Sequence, residues 1–408
     1  MKYINRVMER IMLELSQQYP AILLTGPRQV GKTTMLKKLM EGTDRKYVTL
    51  DDLNIRELAK TDPAMFFQIY KPPILIDEVQ YAPELFSAIK MIIDDTGKPG
   101  DFWLTGSQIF KLMHGVQESL AGRIAILQMS SLSQIEFMGT EYVLPFKIDF
   151  PMLAQKQQLV KAIETPEMFK RIFTGGMPAI LSGKYTDSSL FYMSYLSSYL
   201  ERDVRELSGA IDSLKFLKFI TAVAGRCSQI VNYADIARDA DINQITVKNW
   251  LTILETLGII FYLHPYSNNV LKRTVKTPKL YFYDTGLVVY LTKWSSPETL
   301  ENGAMSGAMF ENYVISEIVK GYHNAATIPF IYYYRDKDMK EIDLIIEADG
   351  KLSPVEIKKS ASPAPQLTSV FKILDRQNIE RGNGAVICMK NSLSAFDSKN
   401  FIIPAWLV

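Results

Sequence analysis

Short apolar runs alternate with polar, helix-forming stretches through roughly the first 140 residues. Ile4, Val7, Ile11, Met12 and Leu15 recur at helical spacing, and residues 21–24, 47–50, 74–76, 102–104 and 124–129 are apolar runs of strand length. Strands buried on both faces read as continuous apolar runs, so this order predicts an α/β unit with a parallel sheet covered by helices. From about residue 150 to 225 the apolar spacing is helical, with a turn at Gly175-Gly176-Met177-Pro178 and a helix expected over 195–207. Two short amphipathic helices are expected within 232–257 around Asp241-Ile242-Asn243, and strands at 259–263 and 280–283 follow. That order predicts a winged helix-turn-helix. A helix at 308–320 and strands at 330–334, 342–346, 355–357 and 385–388 predict a second, smaller α/β unit. The expected division is 1–145, 146–215, 216–295 and 296–408, without internal repeats or long linkers.

Composition narrows the class. The 408 residues hold 46 Lys+Arg against 44 Asp+Glu and are 47% hydrophobic, the balance of a folded globular chain of about two to four domains. Cys227 and Cys388 are the only cysteines, which supports neither a disulfide framework nor a zinc site and points to the cytoplasm. The N-terminus has no signal-peptide pattern, and no apolar run approaches the ~18–20 residues that span a bilayer. A formal charge of +2 gives no global attraction to nucleic acid, so DNA contact requires a local patch. Lys272, Arg273, Lys276 and Lys279, in the hairpin after the second short helix, supply one, with Lys248 on that helix's outer face. A solvated hairpin tip or a protein-docking module is the alternative reading. His114, His264 and His323 have no ligand spacing.

The chemistry concentrates at Gly26-Pro27-Arg28-Gln29-Val30-Gly31-Lys32-Thr33, which fits G-x-x-x-x-G-K-[ST] between an apolar strand and a helix-forming stretch opened by Thr34. Backbone amides of such a loop surround phosphates, Lys32 places a cation on the outer ones, and Thr33 offers a hydroxyl to Mg²⁺. The run 73–76 ends in Asp77 and Glu78, where Asp77 would hold the ion and Glu78 would orient or deprotonate water. Ser107, at the end of the next strand, is placed to meet the γ-phosphate or the water.

GPRQVGKTT, ILIDEVQ, LTGS and SLAGR together resemble the prokaryotic AAA+ family of predicted ATPases, kin to the STAND ATPases. Gly175-Gly176-Met177-Pro178 and Ile403-Pro404-Ala405-Trp406 fit the same resemblance, which extends over the whole chain. It implies a P-loop ATPase core, a helical lid, a winged helix and a C-terminal nuclease-like domain, with ATP and Mg²⁺ as ligands. ATP over GTP rests on the resemblance and on the lack of an N/T-K-x-D motif. The resemblance also implies a sensor role for Ser107. Arg123 becomes a finger acting in trans, which requires self-association, or a sensor in cis, with a structural salt bridge as the alternative. Glu311, Asp343 and the Glu356-Ile357-Lys358 strand resemble a PD-(D/E)xK nuclease core, in which Glu311, Asp343 and Glu356 would bind Mg²⁺ beside Lys358. The expected activity is ATP hydrolysis coupled to movement of the winged helix and nuclease-like domain, with DNA as a candidate partner of the winged helix. The alternative is a slow nucleotide-gated switch that binds a protein partner and has a catalytically silent nuclease-like domain.

Overall fold

The computed structural model describes residues 3–107, 119–140, 144–209, 212–267, 277–376 and 379–408. Strands β1 (Ala21–Thr25), β2 (Lys46–Thr49), β3 (Ile74–Asp77), β4 (Phe102–Gly106) and β5 (Ile124–Gln128) form a sheet in the order β2-β3-β4-β1-β5. All neighbouring pairs are parallel, with Ala21 beside both Phe102 and Ile124, and Lys46 beside Ile74. The expected strands are all present, because side chains of alternate residues are buried on opposite faces. Ala21, Leu23, Ile74 and Ile76 pack on Phe66 and Phe86, whereas Ile22, Leu24 and Leu75 pack on Met8, Met12, Met35 and Leu36. With β1, β3 and β4 in parallel, Gly26, Asp77 and Ser107 leave the sheet along one edge, where ligands of open α/β sheets bind.

The following unit is helical, as expected. The helix expected over 195–207 begins earlier: Ser188–Tyr195 passes through a π-helical turn, Leu196–Leu200, into Glu201–Ser208. Helix Ser213–Ala224, strand β6 (Gln229–Ile230), helices Tyr233–Ala240 and Gln244–Thr256, and strands β7 (Ile260–Pro265) and β8 (Lys279–Phe282) come next. Asn232 and Asn243 cap the two short helices through their side-chain oxygens, and Asp241, at φ 55°, turns the chain between them.

Helix Ser306–Asn324 precedes β9 (Ile331–Arg335), β10 (Glu341–Ala348), β11 (Lys351–Lys358), β12 (Glu380–Arg381), β13 (Gly384–Cys388), β14 (Ser394–Ala395) and β15 (Asn400–Pro404). β10 and β11 form an antiparallel hairpin, while β11, β13 and β15 run parallel. The sequence places a border at residue 296, but one sheet crosses it: β7 pairs in parallel with β9, His264 beside Tyr332. Joined in this way, neither strand is left as an edge with unpaired N–H and C=O groups. One apolar cluster accordingly extends from Phe146 to Val408. Among the described residues no helix is long and apolar enough to cross a membrane.

Helix Ser306–Asn324 is fastened to β8 by Asn312, which is fully buried, accepts from the Phe282 amide at 2.8 Å and donates to the Phe282 carbonyl at 2.9 Å. Replacing Asn312 by Ala leaves both backbone groups unpaired and should cost about 2–4 kcal/mol. Thermal unfolding should show a Tm lowered by several degrees; an unchanged Tm would contradict the role given to this side chain.

Candidate functional site

The phosphate loop follows β1 through backbone that only particular residues tolerate. Gly26 has φ +140°, and a Cβ there would lie 2.1 Å from the Met129 carbonyl oxygen. Gln29 and Gly31 are left-handed, at φ 63° and 96°, after which helix Lys32–Leu39 begins. Lys32 is buried and turns back over the loop, its Nζ donating to the carbonyls of Gly26 at 2.8 Å and Pro27 at 2.7 Å. Burial draws its ammonium down to about 8, although Glu78 and Asp77 nearby oppose the shift.

Thr33 Oγ1 donates to Asp77 Oδ1 at 2.8 Å. Thr105 donates to the same oxygen, and the Tyr47 hydroxyl reaches Oδ2 at 3.1 Å, so the buried carboxylate is held in one orientation. Glu78 is left-handed, at φ 56°, which ends the strand and turns its carboxylate towards Gln80 Nε2 and Ser107 Oγ, the latter at 3.4 Å. The strained backbone is found directly beside Asp77, so that the two adjacent carboxylates point in different directions. Arg28 to Thr34, Asp77 and Glu78 line one cavity of about 440 Å³, together with Tyr3, Ile4, Pro178, Ala179 and Tyr185. Charged loop and apolar or aromatic surface side by side fit a nucleoside triphosphate. The Thr33 hydroxyl and Asp77 carboxylate are hard oxygen donors in mutual contact, a pair suited to Mg²⁺.

Other expected residues are distributed differently. Arg123 is paired bidentately with Asp94, at 2.6 and 3.1 Å, and is not among the residues lining the cavity. The arrangement present is therefore the salt bridge. Lys248 is exposed over the Tyr233 ring at 5.2 Å, while Lys272, Arg273 and Lys276 lie outside the described residues. Lys279 requires a correction: it is buried and pairs with Glu311 at 3.2 Å and Glu341 at 2.5 Å, so it is not a surface phosphate contact. β8 lies between β6 and β7 and packs on helix Ser306–Asn324, which encloses a side chain that the hairpin reading put in solvent.

In the C-terminal unit Asp343, Glu356 and Lys358 do meet, with Lys358 Nζ 3.2 Å from Asp343 and 2.8 Å from Glu356. Glu311 is held instead by Lys279 and by the Tyr281 hydroxyl at 2.7 Å. Burial, and then the neighbouring Asp343, push the Glu311 and Glu356 carboxyls above the usual range. Among the described residues no three histidine, cysteine or carboxylate side chains come together as a metal-holding group.

Sequence reasoning missed Arg6, Tyr47, Thr105 and Asp203. Arg6 Nη1 donates to the Val30 carbonyl in the phosphate loop at 2.8 Å, and Arg28 is paired with Asp203. Thr105, within the LTGS run, carried a local signal; the others become site residues only through contacts remote in sequence.

Residues 18–138 match the family model described as an AAA domain. Residues 165–298 and 306–408 match two families described as domains of unknown function, DUF8612 and DUF4143. The chain is 27% identical over 361 residues to the uncharacterized protein Rv2008c of Mycobacterium tuberculosis, covering 88% of this chain and 74% of that one. It is 23% identical to the uncharacterized protein MJ1637 of Methanocaldococcus jannaschii, covering 83% and 77%. Among solved structures, the Walker-type ATPase PABY2304 of Pyrococcus abyssi is similar at a TM-score of 0.43 and 16% identity, over 70% of this chain and 94% of that one. The RuvB Holliday junction branch migration motor of Thermotoga maritima is similar at 0.33 and 15%, over 63% and 89%.

The Lys32 shift predicts a pH dependence of nucleotide binding. Its ammonium is charged below about 8 and discharges above it, and bound phosphate stabilises the charged form. Affinity for ADP should therefore hold level up to about pH 7 and fall, by up to about tenfold per unit, above pH 8. Calorimetric titration checks this; an affinity unchanged at about pH 9.5 would contradict it.

Proposed function

We propose that the protein is a Mg²⁺-dependent ATPase, converting ATP and water to ADP and phosphate, whose cycle moves the helical unit and the units behind it. The observation that carries this reading is the convergence of Lys32, Thr33, Asp77 and Glu78 on one cavity at the edge of a parallel sheet. In it, amides from Gly26 to Thr34 receive the phosphates, and Lys32 exchanges its carbonyl partners for phosphate oxygens. Thr33 and Asp77 would hold Mg²⁺, which when bound offsets charge on the outer phosphates. Glu78 accepts the proton of the attacking water, with Ser107 and Gln80 fixing its carboxylate. Arg123, paired with Asp94 on the surface, belongs to this mechanism only as a residue that a second copy would engage.

The helix-strand-helix-helix-strand-strand order of residues 213–282 supports a winged helix. DNA as its partner rests on the exposed Lys248 and on the basic sequence run that holds Lys272, Arg273 and Lys276. For the C-terminal unit, the order of β9 to β13 and the Asp343, Glu356, Lys358 group support a nuclease-like fold. A buried lysine, Lys279, is engaged with Glu311 where a third carboxylate ligand is required, which favours a catalytically silent domain.

Two sets of variants test these roles. Lys32→Ala should abolish nucleotide binding, whereas Glu78→Gln should keep binding and lower turnover about 10²–10⁴-fold. A glutamine variant that turns over at the parent rate would remove Glu78 as the base. Incubated with duplex DNA and Mg²⁺, the protein should leave it uncut; cleavage that disappears in Asp343→Ala and Glu356→Ala would show a working nuclease.

A further inference from the structure

Arg28 is a variable position of the phosphate-loop pattern, yet its side chain leaves the loop and enters the helical unit. Nε and Nη2 donate to the two carboxylate oxygens of Asp203 at 2.6 and 2.8 Å, a parallel two-bond pair. The Tyr199 ring lies 5.9 Å from the same guanidinium. Arg28 and Asp203 side chains retain only 14% and 4% of their exposure, so this is not a screened surface pair. The π-helical turn Leu196–Leu200 leads directly into helix Glu201–Ser208, which carries Asp203, and Tyr199 and Asp203, four residues apart, both meet Arg28.

The loop needs such a restraint. Gln29, the next residue, is left-handed at φ 63°, a conformation that costs a non-glycine residue energy and persists where surroundings impose it. On one side Arg6 holds the Val30 carbonyl. On the other, Pro27 rests against Gly258, just after helix Gln244–Thr256, where a Cβ would lie 2.9 Å from Pro27 Cγ. Arg28 is the position between, and Asp203 is its anchor.

We propose that Asp203 is a positioning residue of the nucleotide site, reaching the phosphate loop from the helical unit through Arg28. The assignment rests on the nucleotide reading above. Freed of Asp203, the loop relaxes at Gln29, and its amides are no longer pre-aligned for phosphate. ADP and ATP affinity fall together, because the loop serves phosphates common to both. Turnover of bound ATP, which depends on Glu78, is unaffected.

The test is binding of a fluorescent ADP analogue, and ATP hydrolysis, by the full chain and by Asp203→Asn, Asp203→Glu, Arg28→Gln and the double variant Arg28→Gln/Asp203→Asn, each with a thermal melt. Asp203→Asn and Arg28→Gln should each weaken ADP binding and raise KM by about tenfold or more. Saturated kcat of Asp203→Asn should stay within about twofold. The double variant should be no weaker than either single one, and Asp203→Glu should recover part of the affinity. The melts identify any variant that fails to fold, and the glutamate variant then decides the matter through its KM and kcat. Parent-like affinity in Asp203→Asn, or losses that multiply in the double variant, would overturn the assignment. If the unaltered protein binds no better than Lys32→Ala, the nucleotide reading itself falls, and this assignment with it.

Discussion

The buried guanidinium of Arg6 holds the phosphate loop against the segment that follows β5. Arg6 donates to Glu136 Oε1, to the Val30 carbonyl and to the Ser130 carbonyl, each at 2.8 Å. Burial alone would raise the Glu136 carboxyl, but Arg6 and the backbone amides of Ser133 and Val7 hold it below the usual range. Glu136 is also the closing member of a capping box with Ser133, so the same charge starts helix Gln134–Met138. A buried pair of this kind is costly to break from one side, because the remaining charge has no water to turn to.

The segment Arg6 secures is also the bridge to the C-terminal unit. The Gln134 amide donates to Glu317 at 2.7 Å, its side chain donates to the Trp406 carbonyl at 2.9 Å, and Tyr313 donates to its Oε1 at 2.5 Å. Ser130 Oγ meets His323 Nδ1 at 3.0 Å. A second tie passes through the Gly175-Gly176-Met177-Pro178 turn. Asp284 accepts from the Gly176 amide and the Tyr192 hydroxyl, and a Cβ on Gly175 would meet both Asp284 and Tyr192 at 2.5 Å. Pro178 then lines the nucleotide cavity. Buried polar contacts thus connect the phosphate loop to the units beyond it.

The parts legible in the sequence are those set by neighbours along the chain. β1, β3 and β4 are buried on both faces, so their apolar runs are unbroken, and the loop and Asp77-Glu78 are local patterns that follow two of them. Arg6, Asp203 and Lys279 are not local. Each gains its role from a charge remote in sequence, and nothing in the spacing around Lys279 distinguishes a buried cation among carboxylates from a solvated hairpin. The join of β7 to β9 is hidden for the same reason, since strand pairing across a helix leaves no periodic trace.

The most direct measurement is steady-state phosphate release from ATP by the full chain in Mg²⁺, with Lys32→Ala as the blank and with duplex DNA present or absent. The account predicts release above the blank without DNA. Release equal to that of the Lys32 variant, with and without DNA, would contradict the assignment of a hydrolytic nucleotide site.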